Sequence, residues 1–301
     1  MIADETLHRM AEELIGVRGV VGVVLGGSRA RGDALPTSDV DLGVYYEGTP
    51  DTAGLSRLAS RWSGRDVMVG EPGSWGQWVD AGGWLEVDGT AVDWILRDVD
   101  RLAAQTDRAR RGEFAFHAQA GHPLGFLDVS YAGELATGVV LADPSGRLTS
   151  LRTGVTAYPR ALRDALVGAL WEADFLLGAA GKGVARADTT YVSLALARAL
   201  LLCAHALHAD AGRWVTNEKG LVPAVATLPR APAGFSRDAA QALGSLGATE
   251  ESLAATIEAG DPAGRPHPGR ARRALTTGGV PVRRIPLRGG LSVAGTQRFV
   301  R

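Results

Sequence analysis

Apolar and polar positions along this chain switch between two periods. Residues 4–16, DETLHRMAEELIG, set Leu7, Met10, Ala11 and Leu14 three and four apart, which predicts an amphipathic surface helix closed by Gly16 and Gly19. The unbroken apolar run Val20 to Leu25 predicts a buried strand that stops at Gly26-Gly27, immediately before Ser28. A polar loop from Asp33 to Ser38 follows, shaped in part by Pro36, and then Asp39-Val40-Asp41 and a second apolar run, Leu42 to Tyr46. In extended chain alternate side chains share a face, so Asp39 and Asp41 point one way while Val40 and Leu42 point the other. A helix is expected from Thr49-Pro50-Asp51 with apolar marks Leu55, Leu58 and Ala59, then a short strand over residues 65–70. Gly73 to Gly83 reads as a glycine-rich loop carrying Trp75 and Trp78, rings that suit stacking on a ligand or plugging a domain edge. Trp84 to Leu96 reads as a hairpin about Asp88-Gly89, with Ala91, Asp93 and Ile95 on one face.

The second half is dominated by the helical period. Asp98 to Gly112 predicts a helix leading out of the first domain. Residues 113–130 carry no clear pattern, and His117 and His122 lack ligand partners at metal spacing and read as structural. Tyr131 to Val140 suggests a short helix and Leu141 to Pro144 a turn. Tyr158 to Leu177, Asp188 to about Ala209, and residues 236–258 each predict a helix, with Lys182 to Ala187 as a break and Asp188 as an N-cap. The expected class is α+β: a mixed-sheet domain over 1–112, a connecting region over 113–154, an α-helical bundle over 155–260, and a basic tail over 261–301.

Composition changes this picture in three places. Residues 1–261 hold 23 basic and 33 acidic side chains, whereas nine arginines and no acid follow from Arg265 onward. The body is therefore acidic, which argues against a large nucleic-acid surface, and the tail is a partner site or simply an exposed basic end. Cys203 is the single cysteine, a usage that suits a reducing cytoplasm. The opening residues read as an amphipathic helix rather than a leader, and Arg198 and His205 interrupt the most apolar segment, so no membrane partner is expected.

The candidate chemistry lies in the first strands. Adjacent carboxylates repel, so Asp39 and Asp41 are better explained by a cation than by packing, and oxygen-only ligation favours magnesium or manganese. The Gly27-Ser28 turn offers N–H groups, a hydroxyl and a helix start to a phosphate. Arg29 and Arg31 are either phosphate neutralisers or surface arginines. No Gly-rich loop ends in Gly-Lys-Ser/Thr, which argues against a phosphate-loop kinase or ATPase.

Gly27-Ser28 followed by Asp39-x-Asp41, in GSRARGD…SDVDLGV, resembles the DNA polymerase beta-like nucleotidyltransferases, above all the small bacterial branch with aminoglycoside and lincosamide nucleotidyltransferases. The resemblance spans roughly residues 15 to 100. It implies transfer of a nucleoside monophosphate, AMP from ATP, to a hydroxyl of a small molecule such as an aminoglycoside-like antibiotic, with release of pyrophosphate. It also implies that Ser28 and the Gly27 turn contact the triphosphate and that two magnesium ions are held by Asp39, Asp41 and a third carboxylate, Asp93. Lys219, one of two lysines in the chain, corresponds to a lysine that reaches the triphosphate from the helical domain, or is an ordinary surface residue. Glu172, off the apolar stripe and beside Trp171, is the expected general base; Asp174 competes for the role, and a solvated glutamate is the plain reading. The rival class is a non-catalytic nucleotide-binding or interaction module, as in a toxin–antitoxin pair; an acceptor on protein or RNA is a further alternative.

Overall fold

The computed structural model of the chain describes residues 2–32, 34–35 and 37–260. Pro36, expected to shape the loop after Ser28, and the basic tail expected over 261–301 lie outside the described residues. Helix α1 (Asp4–Ile15) buries Leu7, Met10, Ala11 and Leu14. Strand β1 (Val20–Leu25), the five-residue helix α2 (Gly27–Arg31) and strand β2 (Val40–Tyr46) then form the expected strand–turn–strand unit. Helix α3 (Thr52–Ser63) starts at Asp51, whose carboxylate accepts from the Gly54 N–H at 2.8 Å. Strands β3 (Gly82–Val87) and β4 (Thr90–Asp98) form the hairpin, with Asp88 at φ 51° and Gly89 at φ 71° as its turn demands. Helix α4 (Val99–Arg111) is capped by Asp98, which accepts from the N–H groups of Asp100 and Arg101 at 2.8 and 3.1 Å.

Residues 65–70 do not form the expected strand. The N–H groups of Val67 and Val69 donate to the hydroxyls of Ser60 and Ser56, at 3.0 and 2.9 Å, instead of to a neighbouring strand. Residues 113–130 hold a ribbon, β5 (Phe116–Gln119) and β6 (His122–Leu127), turned at Gly121 with φ 83°. Pro123 hides it in the sequence, and an open-edged ribbon tolerates a residue without an N–H. The helix expected over Tyr131 to Val140 is α5 (Ser130–Thr137), after which Val139 and Val140 belong to strand β7 (Val139–Ala142); helix α6 (Arg147–Thr153) follows.

The main sheet runs β3-β4-β2-β1-β7, with β2 and β4 parallel and the other pairs antiparallel. The segment expected as a connector thus supplies β7 to one edge. One face carries Val23, Leu42, Val44, Val92, Trp94 and Leu96 against α1 and α3. On the other face, Val24 and Tyr45 pack on Leu102 of α4, Tyr131 and Leu135 of α5, and Leu148 of α6.

The helical part differs from expectation in its breaks. Tyr158 to Leu177 is two helices, α7 (Arg160–Gly168) and α8 (Trp171–Val184), parted at the weak helix former Gly168. Helix α9 (Thr189–Asp210) begins at Asp188, which accepts from the Tyr191 N–H at 3.0 Å. It is long and apolar enough to cross a membrane, yet 67% of its most apolar stretch is buried inside the protein. After α10 (Leu221–Ala224), the last expected helix is split into α11 (Phe235–Gly244) and α12 (Glu250–Gly260), with Gly244 ending α11 and Gly247 inside the break.

Candidate active site

Sheet register builds the site. The Gly26 N–H, just past β1, donates to the Asp41 carbonyl at 2.8 Å. Asp41 lies opposite Asp93 in the parallel β2–β4 pair, and Asp93 lies opposite Trp84 in the β3–β4 hairpin. One row across the sheet therefore reads Gly26, Asp41, Asp93, Trp84, and directly paired residues face the same side. Asp39 joins from the residue before β2. Ligand oxygens of Asp39, Asp41 and Asp93 all lie within 4.8 Å of one another.

The glycine turn is shaped around these acids. Gly27 has φ 62°, and a Cβ on it would overlap the Oδ2 of Asp41. The carboxylate occupies the space that glycine leaves open, and Ser28 sits half-buried in the first turn of α2 beside it. Arg29 is used structurally. It donates to the carbonyls of Asp39 and Ser38 at 3.1 and 3.0 Å and so fixes the approach to β2. The charge of Arg31 instead acts on Asp41.

The acids destabilise one another's charge. Burial, then Asp39 and Glu134, raise the pKa of Asp41, with Arg31 and Arg97 opposing. Burial, then Asp41 and Asp39, push Asp93 up to about 6, and Lys219 works against that rise. Lys219 is thereby brought within electrostatic reach of the cluster. Its segment is tied down where Ser130 of α5 donates to the Val215 carbonyl at 3.0 Å and the Trp214 indole donates to the Val155 carbonyl at 3.2 Å.

Below the acids, on the same sheet face, lies a pair that the sequence pattern does not reveal. Arg97 of β4, two turns of the pleat beyond Asp93, forms a two-pronged ion pair with Glu134 of α5, at 2.7 and 2.8 Å. Burial opposes the charge on Arg97, which is 6% exposed, but attraction to Glu134 and their hydrogen bond outweigh it and raise its pKa. An arginine at position 97 of an apolar strand is the one signal for it; its partner lies in α5, 37 residues later in the chain.

Glu172 is not brought to the acid cluster. Its carboxylate accepts from Arg198 Nε at 3.2 Å, and Arg198 also donates to the Leu124 carbonyl at 2.7 Å and lies over the Phe116 ring. Arg198, Leu124 and Phe116 border a groove of about 730 Å³ between the ribbon, the tryptophan loop and α9. Trp78 is buried, stacked on His117 at 4.1 Å, while Trp75 stacks on Trp84 at 4.6 Å. His117 also contacts Asp128 at 3.3 Å and His122 faces Glu218 at 3.9 Å, both structural roles.

The residues present fit a divalent cation. Three mutually repelling carboxylates, two of them with raised pKa values, and hard oxygen donors throughout suit magnesium. The mixed sheet places these acids beside a glycine turn. Residues 7–71 match the family model described as the nucleotidyltransferase domain. The match takes in Gly27, Ser28, Asp39 and Asp41 and ends before Asp93, so Asp93 enters the site through sheet register. Over that segment the chain is similar to nucleotidyltransferase domains, for which nucleotide transfer is the general chemistry. A crystal structure of a nucleotidyltransferase-like protein from Exiguobacterium sibiricum 255-15 aligns with 11% identity and a TM-score of 0.43, over 90% of this chain and 75% of that one. No curated protein matches the chain.

Proposed function

We propose that the chain transfers a nucleoside monophosphate, AMP from ATP, to a hydroxyl of a small molecule and releases pyrophosphate. The observation that carries this reading is the convergence of Asp39, Asp41 and Asp93 on the Gly27 turn. Asp39, Asp41 and Asp93 would hold magnesium, which when bound supplies charge neutralisation for the triphosphate and the entering oxygen. Gly27 and Ser28 would orient the β- and γ-phosphates, and Lys219 would offset the charge that develops on the leaving group. The acceptor oxygen forms a bond to the α-phosphorus as the bond to the bridging oxygen breaks, and the hydroxyl proton passes to a base or to water. Glu172 is engaged by Arg198 and would have to leave that pair to act as the base; holding Arg198 at the groove is the role its contacts support.

The test is pyrophosphate release from each nucleoside triphosphate with magnesium and a panel of hydroxyl acceptors, with the Asp39→Ala/Asp41→Ala protein as control. Acceptor-dependent release that disappears in the control is the expected result. Metal-dependent nucleotide binding with no release from any acceptor would instead favour a binding or interaction module, including a toxin–antitoxin component.

A further inference from the structure

The row Gly26, Asp41, Asp93, Trp84 has a direction. Strands lie about 4.8 Å apart, so the phosphate turn stands at one end of the row, the acids in the middle, and Trp84 at the far end, on the same sheet face. In-line displacement puts the entering group opposite the leaving group. With the triphosphate on the Gly27-Ser28 side, the acceptor must come from the side of Trp84.

What waits there is aromatic. Trp84 is 60% exposed although it sits beside a partly buried acid, and its ring is stacked on Trp75 with the planes 18° apart. The stack is held in position. Gln119 of β5 donates to the Trp75 carbonyl at 2.6 Å and accepts from the Trp78 N–H at 3.0 Å, clamping the tryptophan loop to the ribbon. A Cβ on Gly76 would meet the Gln119 side chain, and one on Gly82 would overlap the Trp94 carbonyl and press on the Trp75 ring. Two flat rings fixed this firmly, with one left open to solvent, form a stacking surface.

The groove continuing from Trp75 is lined by Gln77, Phe116, His117, His122 and Arg198 among others, and none of the described residues lining it is a carboxylate. Acids beside its lining residues are engaged: Glu172 by Arg198, Asp128 by His117 and Arg108, and Glu218 by the Leu124 N–H and His122. A polycationic aminoglycoside finds no free acid in this groove to pair with its ammonium groups. Resting on the proposed nucleotidyl transfer, we infer that Trp84 and Trp75 are the platform for a planar, uncharged or anionic ring of the acceptor, and that its hydroxyl is presented from there to the acids.

The experiment separates the platform from the chemistry. Calorimetric titration of the full chain without metal would use 4-hydroxybenzyl alcohol and 7-hydroxycoumarin as planar probes, kanamycin as the polycation, and ATP. Pyrophosphate release with magnesium would be followed in parallel. The planar probes should bind, Trp84→Ala should weaken them about ten-fold and Trp84→Phe should restore most of that loss, while ATP binding stays unchanged. Planar probes that fail to bind, or that bind Trp84→Ala as well as the parent, would overturn the platform. So would a Trp84→Ala defect confined to ATP, which would assign the ring to the nucleobase, or kanamycin bound and adenylylated without regard to Trp84. Probe binding that follows Trp84 while no pyrophosphate is ever released would support the platform and end the nucleotidyl-transfer reading.

Discussion

The carboxylate of Asp41 lies where the side chain of any other residue at position 27 would have to be, so Gly27 and Asp41 share one volume. The absent Cβ lets the glycine turn close directly onto an acid of the cluster, and the backbone there, at φ 62°, is one that L side chains rarely adopt. Gly27→Ala is therefore expected to move Asp41 out of the cluster. Magnesium-dependent transfer should fall at least about a hundred-fold, the order reached when reacting groups are misplaced by an ångström, while thermal unfolding shifts by only a few degrees. Parent-like turnover in Gly27→Ala would show that the turn and Asp41 act separately.

Arg97 and Glu134 join the sheet to α5 beneath the acids. Removing one partner leaves the other charge buried, which costs about 3 kcal/mol or more. Glu134→Gln should lower Tm by about 10 °C, and an Arg97→Met/Glu134→Leu double variant should recover part of that loss. Glu134 raises and Arg97 lowers the pKa of Asp41, so the single variant should also weaken proton binding at Asp41, whereas the double variant removes both influences together. A pair whose single and double variants unfold alike would have no coupling.

Much of this site is legible in the sequence because its parts are local. An apolar run ending at two glycines, an acid pair at strand spacing and an Asp-Gly turn each carry their own geometry, and β1, β2 and the β3–β4 hairpin lie where those signals place them. What escapes depends on partners distant in sequence. The N–H groups of Val67 and Val69 satisfy themselves on serine hydroxyls of α3, which no periodicity reveals. Val139 and Val140 look like the end of a helix because β1, the strand that recruits them, lies more than a hundred residues earlier. The alternating pattern marks Trp84 only as part of a strand, and its meaning comes from standing opposite Asp93.

Lys219 approaches Asp93 from the helical part of the chain, and its positive charge opposes the rise in the Asp93 pKa. Lys219→Ala should therefore shift the acid limb of magnesium binding to higher pH. It should also raise KM for ATP by about ten-fold, the worth of one charge-assisted contact. Lys219→Arg should restore the pH limb better than the KM, since it returns the charge but not the geometry. An acid limb unmoved in Lys219→Ala would place the lysine outside the cluster's field.

Asp93 contributes to the pH dependence of stability in the metal-free protein. Its pKa rises from 3.8 to about 6, through burial first and the neighbouring Asp41 and Asp39 next. Below 3.8 it is protonated whether folded or unfolded and costs nothing; above about 6 it is charged in both states, and the folded state bears the repulsion. Its contribution to stability is thus lost as pH rises through that window. Half-exposure screens the effect to about 1 kcal/mol. Asp93→Asn should accordingly raise Tm of the metal-free chain by about 2–4 °C at pH 7.5 and leave it unchanged at pH 3.5. Magnesium relieves the same repulsion, so it should stabilise the parent more at pH 7.5 than at pH 5 and stabilise Asp93→Asn less at either. Equal magnesium shifts in parent and variant, followed by thermal unfolding at both pH values, would remove Asp93 from the ligand set.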